Sequence, residues 1–313
     1  MTEPLVSIGI PVFNGENYLA ETLDGILAQD FADFEVVIAD NASTDGTEEI
    51  CRKYAETDAR VRYHRQPANY GAAPNYNDAF HRSRAKYFKW SAHDDLLAPT
   101  FLSRCVQELE ANPAVVVAFT GSTVIDAEGN QLGTSDPRTG LTDRDVATRV
   151  RTAIFPFIKG GASDAAIFGV MRSSAVDKTS LHGSYTGSDR TLLLELALQG
   201  PFATVPEPLF YNRDHPDRSI RIRRKVADRG HVREVWFDTQ RAGKIVFPNW
   251  RRLREFLTAI MRSSVGPLDK VRAWRVVGSW VARWSWKRLL NDLYLGSMML
   301  FSRRRRPKDE ASP

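Results

Sequence analysis

Two adjacent carboxylates, Asp94 and Asp95, close the segment Tyr87-Phe88-Lys89-Trp90-Ser91-Ala92-His93-Asp94-Asp95. Tyr87 to Trp90 has strand character, and the chain continues through Leu96 and Leu97 to Pro99, which suits the first turn of a helix. The pair therefore stands at a strand's end, where open α/β sheets bind their ligands. Two hard oxygen ligands there can hold Mg²⁺ or Mn²⁺, which keep waters and share their other positions with substrate phosphates. The alternative is that Asp94 or Asp95 caps the following helix. A second carboxylate, Asp40, ends Phe34-Glu35-Val36-Val37-Ile38-Ala39-Asp40; it can accept from a base or a ribose, or form the turn Asp40-Asn41-Ala42-Ser43. Phe13, just after the apolar run Leu5 to Val12, can pack on a base face. A third carboxylate, Asp189, opens a leucine-rich helix after Gly187-Ser188, where the helix dipole alone would favour it.

The elements that must position these groups alternate in kind. Leu5 to Val12 reads as a buried parallel strand, Glu16 to Gln29 as a helix with Tyr18, Leu19, Leu23, Ile26 and Leu27 on one face, and Phe34 to Asp40 as a second strand. A helix through about Glu56 follows, with Asp45 and Glu48 at capping-box spacing. Val61 to Arg65 is a third strand, Asn69-Tyr70-Gly71 a turn, Pro74 to Arg84 a helix, and Tyr87 to Trp90 a fourth strand. Strand and helix in alternation with short connections specify a doubly wound, mostly parallel α/β sheet flanked by helices. Thr100 to Ala111 continues as a helix, Ala114 to Ile125 as an edge strand, and Asp126 to Asn130 as a hairpin turn. The polar stretch Gly133 to Asp145 suits a loop over an acceptor site. Phe202 to Arg213 reads as a strand, a Pro-x-Pro turn and a further strand.

The chain has 313 residues, 42% of them hydrophobic, enough for a substantial core. Cys51 and Cys105 lie far apart without metal-ligand spacing, and polar Thr2-Glu3-Pro4 after Met1 makes no signal region, so a reducing cytoplasmic location is expected. No uncharged apolar run reaches the length of a membrane span. No Gly-x-Gly-x-x-Gly follows the first strand and no Gly-Lys-Ser/Thr occurs, which argues against a dinucleotide dehydrogenase and a P-loop enzyme.

Four segments in order carry a resemblance: Pro11-Val12-Phe13-Asn14-Gly15, Val37 to Thr47 (Val-Ile-Ala-Asp-Asn-Ala-Ser-Thr-Asp-Gly-Thr), Asn69-Tyr70-Gly71 and Asp94-Asp95-Leu96-Leu97-Ala98-Pro99. Together they resemble the family 2 glycosyltransferases of GT-A fold. The resemblance implies an inverting, metal-dependent transfer of a sugar from a nucleoside-diphosphate-sugar donor to a hydroxyl acceptor, as in glycan, polysaccharide or glycolipid biosynthesis. It implies a donor site at Pro11, Phe13, Asn14, Asp40, Asn69, Asp94, Arg213 and Arg218. Asp40 would contact the nucleobase, and the two arginines the diphosphate. It implies a divalent ion, Mg²⁺ or Mn²⁺, at Asp94 and Asp95 with His215 as a third ligand, and Asp189 as the base that deprotonates the acceptor. One departure stands out: Ala92 occupies the first position of the family's Asp-x-Asp, with His93 between, which leaves Asp94 as the principal ligand. A nucleotidyltransferase, or a catalytically silent adaptor on the same fold, remains an alternative.

The motifs end at Ser219, which divides the chain into a catalytic domain, 1–219, and a helical basic region, 220–313. Through Asp217 there are 19 Lys and Arg against 30 Asp and Glu, and from Arg218 onward 24 against 8. Ile220 to Ala242 reads as a charged helix, followed by Trp250 to Ser263 and Leu268 to Phe301. The last carries tryptophan, leucine and arginine at helical spacing and runs into Arg303 to Arg306, a pattern suited to the surface of an anionic membrane. Packing on the catalytic domain, or a homodimer contact, is the alternative, and nucleic acid is a poorer match. A peripheral position at the inner face of the cell membrane follows from the first reading.

Overall fold

The central sheet begins with four strands that the apolar pattern marks out to within one residue. In the computed structural model, which describes residues 3–135, 137, 139–155, 163–216, 218, 235–241 and 244–304, β1 (Val6–Val12), β2 (Phe34–Asp40), β3 (Val61–Arg65) and β4 (Tyr87–Trp90) run parallel in the order β3-β2-β1-β4. Every residue of β1, β2 and β4 is buried, because helices cover both faces of a parallel sheet. The crossovers are α1 (Leu19–Leu27), α2 (Thr47–Thr57) and α3 (Ala72–His81). Pairing of Val12 with Asp40 brings the carboxyl ends of β1 and β2 level, and the end of β4 adjoins β1 through Gly9 and Trp90.

The second half of the sheet is mixed. The order continues β4-β8-β6-β9-β5, with β5 (Leu96–Leu97), β6 (Val117–Ile125), β8 (Val170–Arg172) and β9 (Phe202–Arg213), while β7 (Gln131–Ser135) forms a hairpin with β6. Here the sequence expectations need correcting. Leu96 and Leu97 form a strand rather than a helical lead-in, and Pro99 precedes the N-cap Thr100 of α4 (Phe101–Ala111). β6 is not an edge strand, since it pairs with β7, β8 and β9. Pro206-Glu207-Pro208 does not end β9, which runs on past it with a register shift opposite Gly121. The Asp45 and Glu48 capping box is absent: Gly46 is the N-cap, and Glu48 turns outward to Arg52 and Arg65.

The remaining helices are α5 (Val146–Ile154), α6 (Ser163–Ala166), α7 (Ser173–Val176), α8 (Ser188–Gln199), α9 (Pro248–Arg262), α10 (Pro267–Trp280) and α11 (Trp286–Arg304), with a π-helical turn, Val281–Ser285, before the last. Two cores flank the sheet. One joins β1 and β2 to α1 and α4 through Leu19, Leu23, Phe101 and Leu102. The other gathers Leu192, Leu193 and Leu196 of α8 with Phe256 and Ile260 of α9 and Ala273, Val277 and Trp280 of α10. The helices after residue 219 thus complete a core that the first 219 residues begin. Of the charged helix expected over 220–242 only 235–241 is described, and Thr239–Arg241 is a 3-10 turn. Within the stretch 133–145, Gly133 to Ser135 belongs to β7 and Gly140–Thr142 is a 3-10 turn, with Asp136 and Arg138 outside the described residues. Arg305 and Arg306 of the basic cluster also lie outside them.

Candidate active site

The carboxyl ends of β1, β2 and β4 meet in a network built from short polar side chains. Beyond β1, Asn14 takes a left-handed backbone (φ 53°), which asparagine tolerates better than most residues, and its Oδ1 accepts from the Thr44 amide. The Asn14 amide in turn donates to Ser43 Oγ. Gly15 lets the loops approach closely: a Cβ there would stand 2.7 Å from the His93 ring and 2.6 Å from Val12. Pro11 is buried within β1, whereas the Phe13 side chain is 42% exposed. Asp40 is fully buried and forms the turn after β2, its Oδ1 accepting from the Ser43 amide at 2.9 Å and from Ser43 Oγ at 2.6 Å. Its Oδ2 accepts from Tyr63 at 2.8 Å. The turn reading of Asp40 is therefore the one the contacts display, and Tyr63 is an addition that no motif announced. Asn69 joins this wall through Asn41, whose Nδ2 donates to its Oδ1 at 2.9 Å.

The acidic pair divides. Asp94 Oδ2 lies 2.9 Å from His215 Nε2, and the His215 ring packs on Tyr18 at 4.8 Å between centroids. Burial works to raise the Asp94 pKa, but the His215 hydrogen bond and the positive fields of His93, His215 and Arg218 outweigh it and hold the carboxyl below its usual range. Asp95 is buried, and its Oδ1 accepts from the Arg213 amide at 2.9 Å and from Asn212 Nδ2 at 3.1 Å. Burial, and then the charge of Asp94, push its pKa up. Of the two acids, Asp94 is therefore the more readily ionised. Through Oδ1, Asp95 holds the end of β9.

Arg213 also departs from expectation. Its side chain is 1% exposed, donating to Glu21 at 2.7 Å, to the Asp94 carbonyl at 3.0 Å and to the Ala127 carbonyl at 2.9 Å, over the face of Tyr18. A guanidinium so fully engaged braces the Asp94 loop and has little left for a diphosphate. Arg218 is half-buried, donates to Asn212 Oδ1 at 2.6 Å and exerts its charge on both Asp94 and Asp95. Among the described residues no group of three His, Cys, Asp or Glu side chains is arranged to hold a metal. Asp94 and His215 offer one oxygen and one nitrogen to an ion whose other positions water and phosphate oxygens can fill, a donor set that fits Mg²⁺ or Mn²⁺.

Asp189 lies in the first turn of α8, after Gly187 at φ 87°, a left-handed turn that glycine permits without strain. It acts electrostatically on His182 and Arg252. The His182 ring packs edge-on against Trp90 at 4.9 Å, which ties this helix terminus to the end of β4. Burial pushes the His182 pKa down to about 4.

The comparisons with known proteins bear on this arrangement directly. The sequence model of the family described as Glycosyl transferase family 2 matches residues 7–160, a stretch that holds the ends of β1, β2 and β4 and the Asp94 loop. Residues 7–160 are thus similar to glycosyl transferase family 2. An uncharacterized glycosyltransferase of Rickettsia bellii is 32% identical over 161 residues, which cover 50% of this chain and 22% of that one. The chondroitin synthase of Escherichia coli is 34% identical over 129 residues, 41% of this chain and 19% of its own length. The matched stretch is therefore a minor part of these relatives. Among solved structures, S. aureus TarS 1-349 in complex with UDP superposes with a TM-score of 0.63 at 15% identity, covering 90% of this chain and 73% of that one. The mannosyltransferase PcManGT from Pyrobaculum calidifontis, in complex with GDP-Man and Mn²⁺, gives 0.52 at 21% identity, covering 97% and 83%. The fold of the glycosyltransferase domain is GT-A.

Several side chains of this domain escaped the motif pattern. Lys89, alone among apolar neighbours in β4, is fully buried; its Nζ donates to the carbonyls of Trp90 and Phe168, at 2.9 and 2.8 Å, beside the rings of Phe101, Phe168 and Phe210. Burial lowers its pKa to about 7, against the pull of Asp95. A lysine within a strand buried on both faces was the available signal. Tyr18, Glu21 and His182 carried no comparable mark.

Proposed function

We propose that the chain is an inverting glycosyltransferase that moves a sugar from a nucleoside-diphosphate-sugar donor to a hydroxyl acceptor, with Asp94 and His215 as ligands of a Mg²⁺ or Mn²⁺ ion. The observation that carries this reading is the 2.9 Å contact of Asp94 with His215 at the mouth of a strand-end crevice in a family 2 domain. When bound, the ion would supply a positive charge for the leaving diphosphate. Phe13, exposed beside the turn built on Asp40, would receive the base, with Asn14 and Asn69 shaping the wall. Arg218, next to Asp94, would meet the diphosphate, and Arg213 would keep the Asp94 loop in place. Asp189 would take the acceptor proton as the hydroxyl oxygen attacks the anomeric carbon; the bond to the diphosphate oxygen breaks with its electron pair, and a single displacement inverts the centre.

The helical region supports a membrane-surface position. Of fifteen exposed large hydrophobic side chains among the described residues, thirteen lie between Trp236 and Tyr294. Trp274 and Trp286 face outward while Trp280 is in the core, so one face packs on the domain and the other is exposed toward the acyl boundary of an anionic membrane. No helix among the described residues is long and apolar enough to cross a membrane. A lipid-linked glycan at that surface would be the acceptor, as in polysaccharide or glycolipid assembly. A homodimer through the same face is the second reading, and a concentration-dependent dimer in sedimentation without vesicles would favour it.

The test is a nucleotide-sugar panel read by thermal shift with Mn²⁺, Mg²⁺ or EDTA. A true donor raises the midpoint of the wild type with metal. Asp94→Ala should lose that shift and Asp189→Ala should keep it. Stabilisation without release of diphosphate in the presence of lipid-linked acceptors would point to a silent adaptor, and pyrophosphate release from a nucleoside triphosphate to a nucleotidyltransferase.

A further inference from the structure

A cavity of about 680 Å³ opens at the far end of the sheet from the donor crevice, where β6 and β9 begin and α8 ends. Strand β9 links the two places, with Phe202 beside the cavity wall at Pro201 and Arg213 beside Asp95, roughly 35 Å apart at about 3.3 Å per residue. Arg144, Arg149, Arg172 and Lys178 line the cavity, and no carboxylate does. Four cations on one wall contrast with the acidic excess of the first 217 residues.

Arg149 makes this more than a basic patch. It is 4% exposed, and it donates through Nε to the Ala197 carbonyl at 2.8 Å and through Nη1 to the carbonyls of Asp143 and Arg144 at 2.9 and 2.8 Å. Its Nη2 meets no acceptor, and its guanidinium forms no ion pair, among the described residues. Burial lowers the Arg149 pKa, with Asp145, Asp143 and Asp269 acting the other way at longer range. Asp145 is already occupied, pairing with Arg272 at 2.7 Å and accepting from Thr148. A buried cation with one uncommitted nitrogen and no counter-ion beside it is stabilised by an anion brought against it. Arg172 is fixed by the carbonyls of Val115, Leu109 and Asn112 and by the Tyr87 hydroxyl, which engage all three of its nitrogens and leave its charge, and exposed Arg144 and Lys178 stand at the rim.

We propose that this cavity binds a phosphate-bearing ligand, with Arg149 Nη2 as the buried donor, Arg172 as a fixed positive charge and Arg144 and Lys178 as rim cations. A guanidinium N–H and the surrounding positive charge suit a phosphate oxygen, and the cavity volume suits a small anion or a headgroup. Two sources share that chemistry: a free phosphate compound, and the headgroup of an anionic lipid. The second gains weight from position, because Arg272 of α10, whose exposed side chains include Leu268 and Trp274, is bonded to Asp145 beside the rim. The inference is independent of the donor-site reading.

The experiment compares the wild type with Arg144→Glu/Lys178→Glu and with a charge-matched control, Lys53→Glu/Arg84→Glu, all at exposed positions. Each is titrated with inorganic phosphate at constant ionic strength in thermal shift, and sedimented with vesicles of phosphatidylcholine with and without phosphatidylglycerol. If the wild type and control respond saturably to phosphate and the rim variant loses the response, the site takes a free phosphate. If phosphate shifts none of them but the rim variant sediments with phosphatidylglycerol vesicles at least fivefold more weakly than both others, the site takes a headgroup. Equal behaviour of the rim variant and the control, in both assays, overturns the proposal. The donor-panel shift, measured alongside, reports separately on the crevice at Asp94.

Discussion

Asp94 and Asp189 stand in opposite surroundings. Around Asp94 the polar groups are taken: His215 meets its carboxylate, Arg213 its carbonyl, and Asp95 the backbone of β9. Around Asp189 the reverse holds, since among the described residues His182 Nε2, Ser188 Oγ and Arg252 Nε are buried without partners. Each such atom costs on the order of 1–3 kcal/mol until a hydrogen bond is supplied. The contrast teaches that the crevice at Asp94 is preorganised by the protein itself, whereas the α8 terminus holds polar capacity that an entering hydroxyl or water would complete.

The widest effect tests the carboxylate left open. If Asp189 is the base proposed above, Asp189→Asn should lower turnover by about 10²–10⁴ while leaving donor-induced stabilisation intact, because it would remove a base and not a donor contact. Single-turnover kinetics beside the thermal shift check this, and a loss of both would break the comparison.

On the committed side, Lys89→Met should destabilise the fold by about 2–3 kcal/mol. It leaves the carbonyls of Trp90 and Phe168 without their donor and Asp95 without a counter-charge. Urea denaturation measures it, and a neutral result would mean that the network under Asp95 is dispensable.

The smallest effect concerns pH. His182 is held neutral by burial, with a folded pKa of about 4 below the ordinary 6.5, so the unfolded chain binds the extra proton between those values. Stability conferred by the neutral ring is fully present above pH 6.5 and is lost as the pH falls toward 4. His182→Gln should flatten the curve there by about 2 kcal/mol, seen in denaturation at pH 4.5 and pH 7. An unchanged slope would show that the ring is hydrated and the α8 terminus less dry than its contacts indicate.

Much of the first half was legible because a doubly covered parallel strand needs uninterrupted apolar sequence: β2, β3 and β4 end where the pattern ends, and β1 differs by one residue at its start. The mixed half was less so. β5 is two residues long and draws its stability from β9, more than a hundred positions away, so local propensity gave a helix lead-in instead. β6 read as an edge strand because its β8 and β9 partners come later in the chain. Asp94 and His215 could be singled out by type and place, but not paired by spacing.

Sequence by itself determined the parallel half-sheet, the carboxylates at its strand ends, the family motifs and the split between an acidic body and a basic tail. These depend on local pattern and composition, which every residue carries with it. Tertiary structure decided how each charge is used: that Arg213 is a buried brace, that Asp95 ties β9, that Arg149 faces a cavity without a counter-ion, and which tryptophans are core. The desolvation and hydrogen bonding that fix a charged group's role come from neighbours distant in sequence, so only the folded chain specifies them.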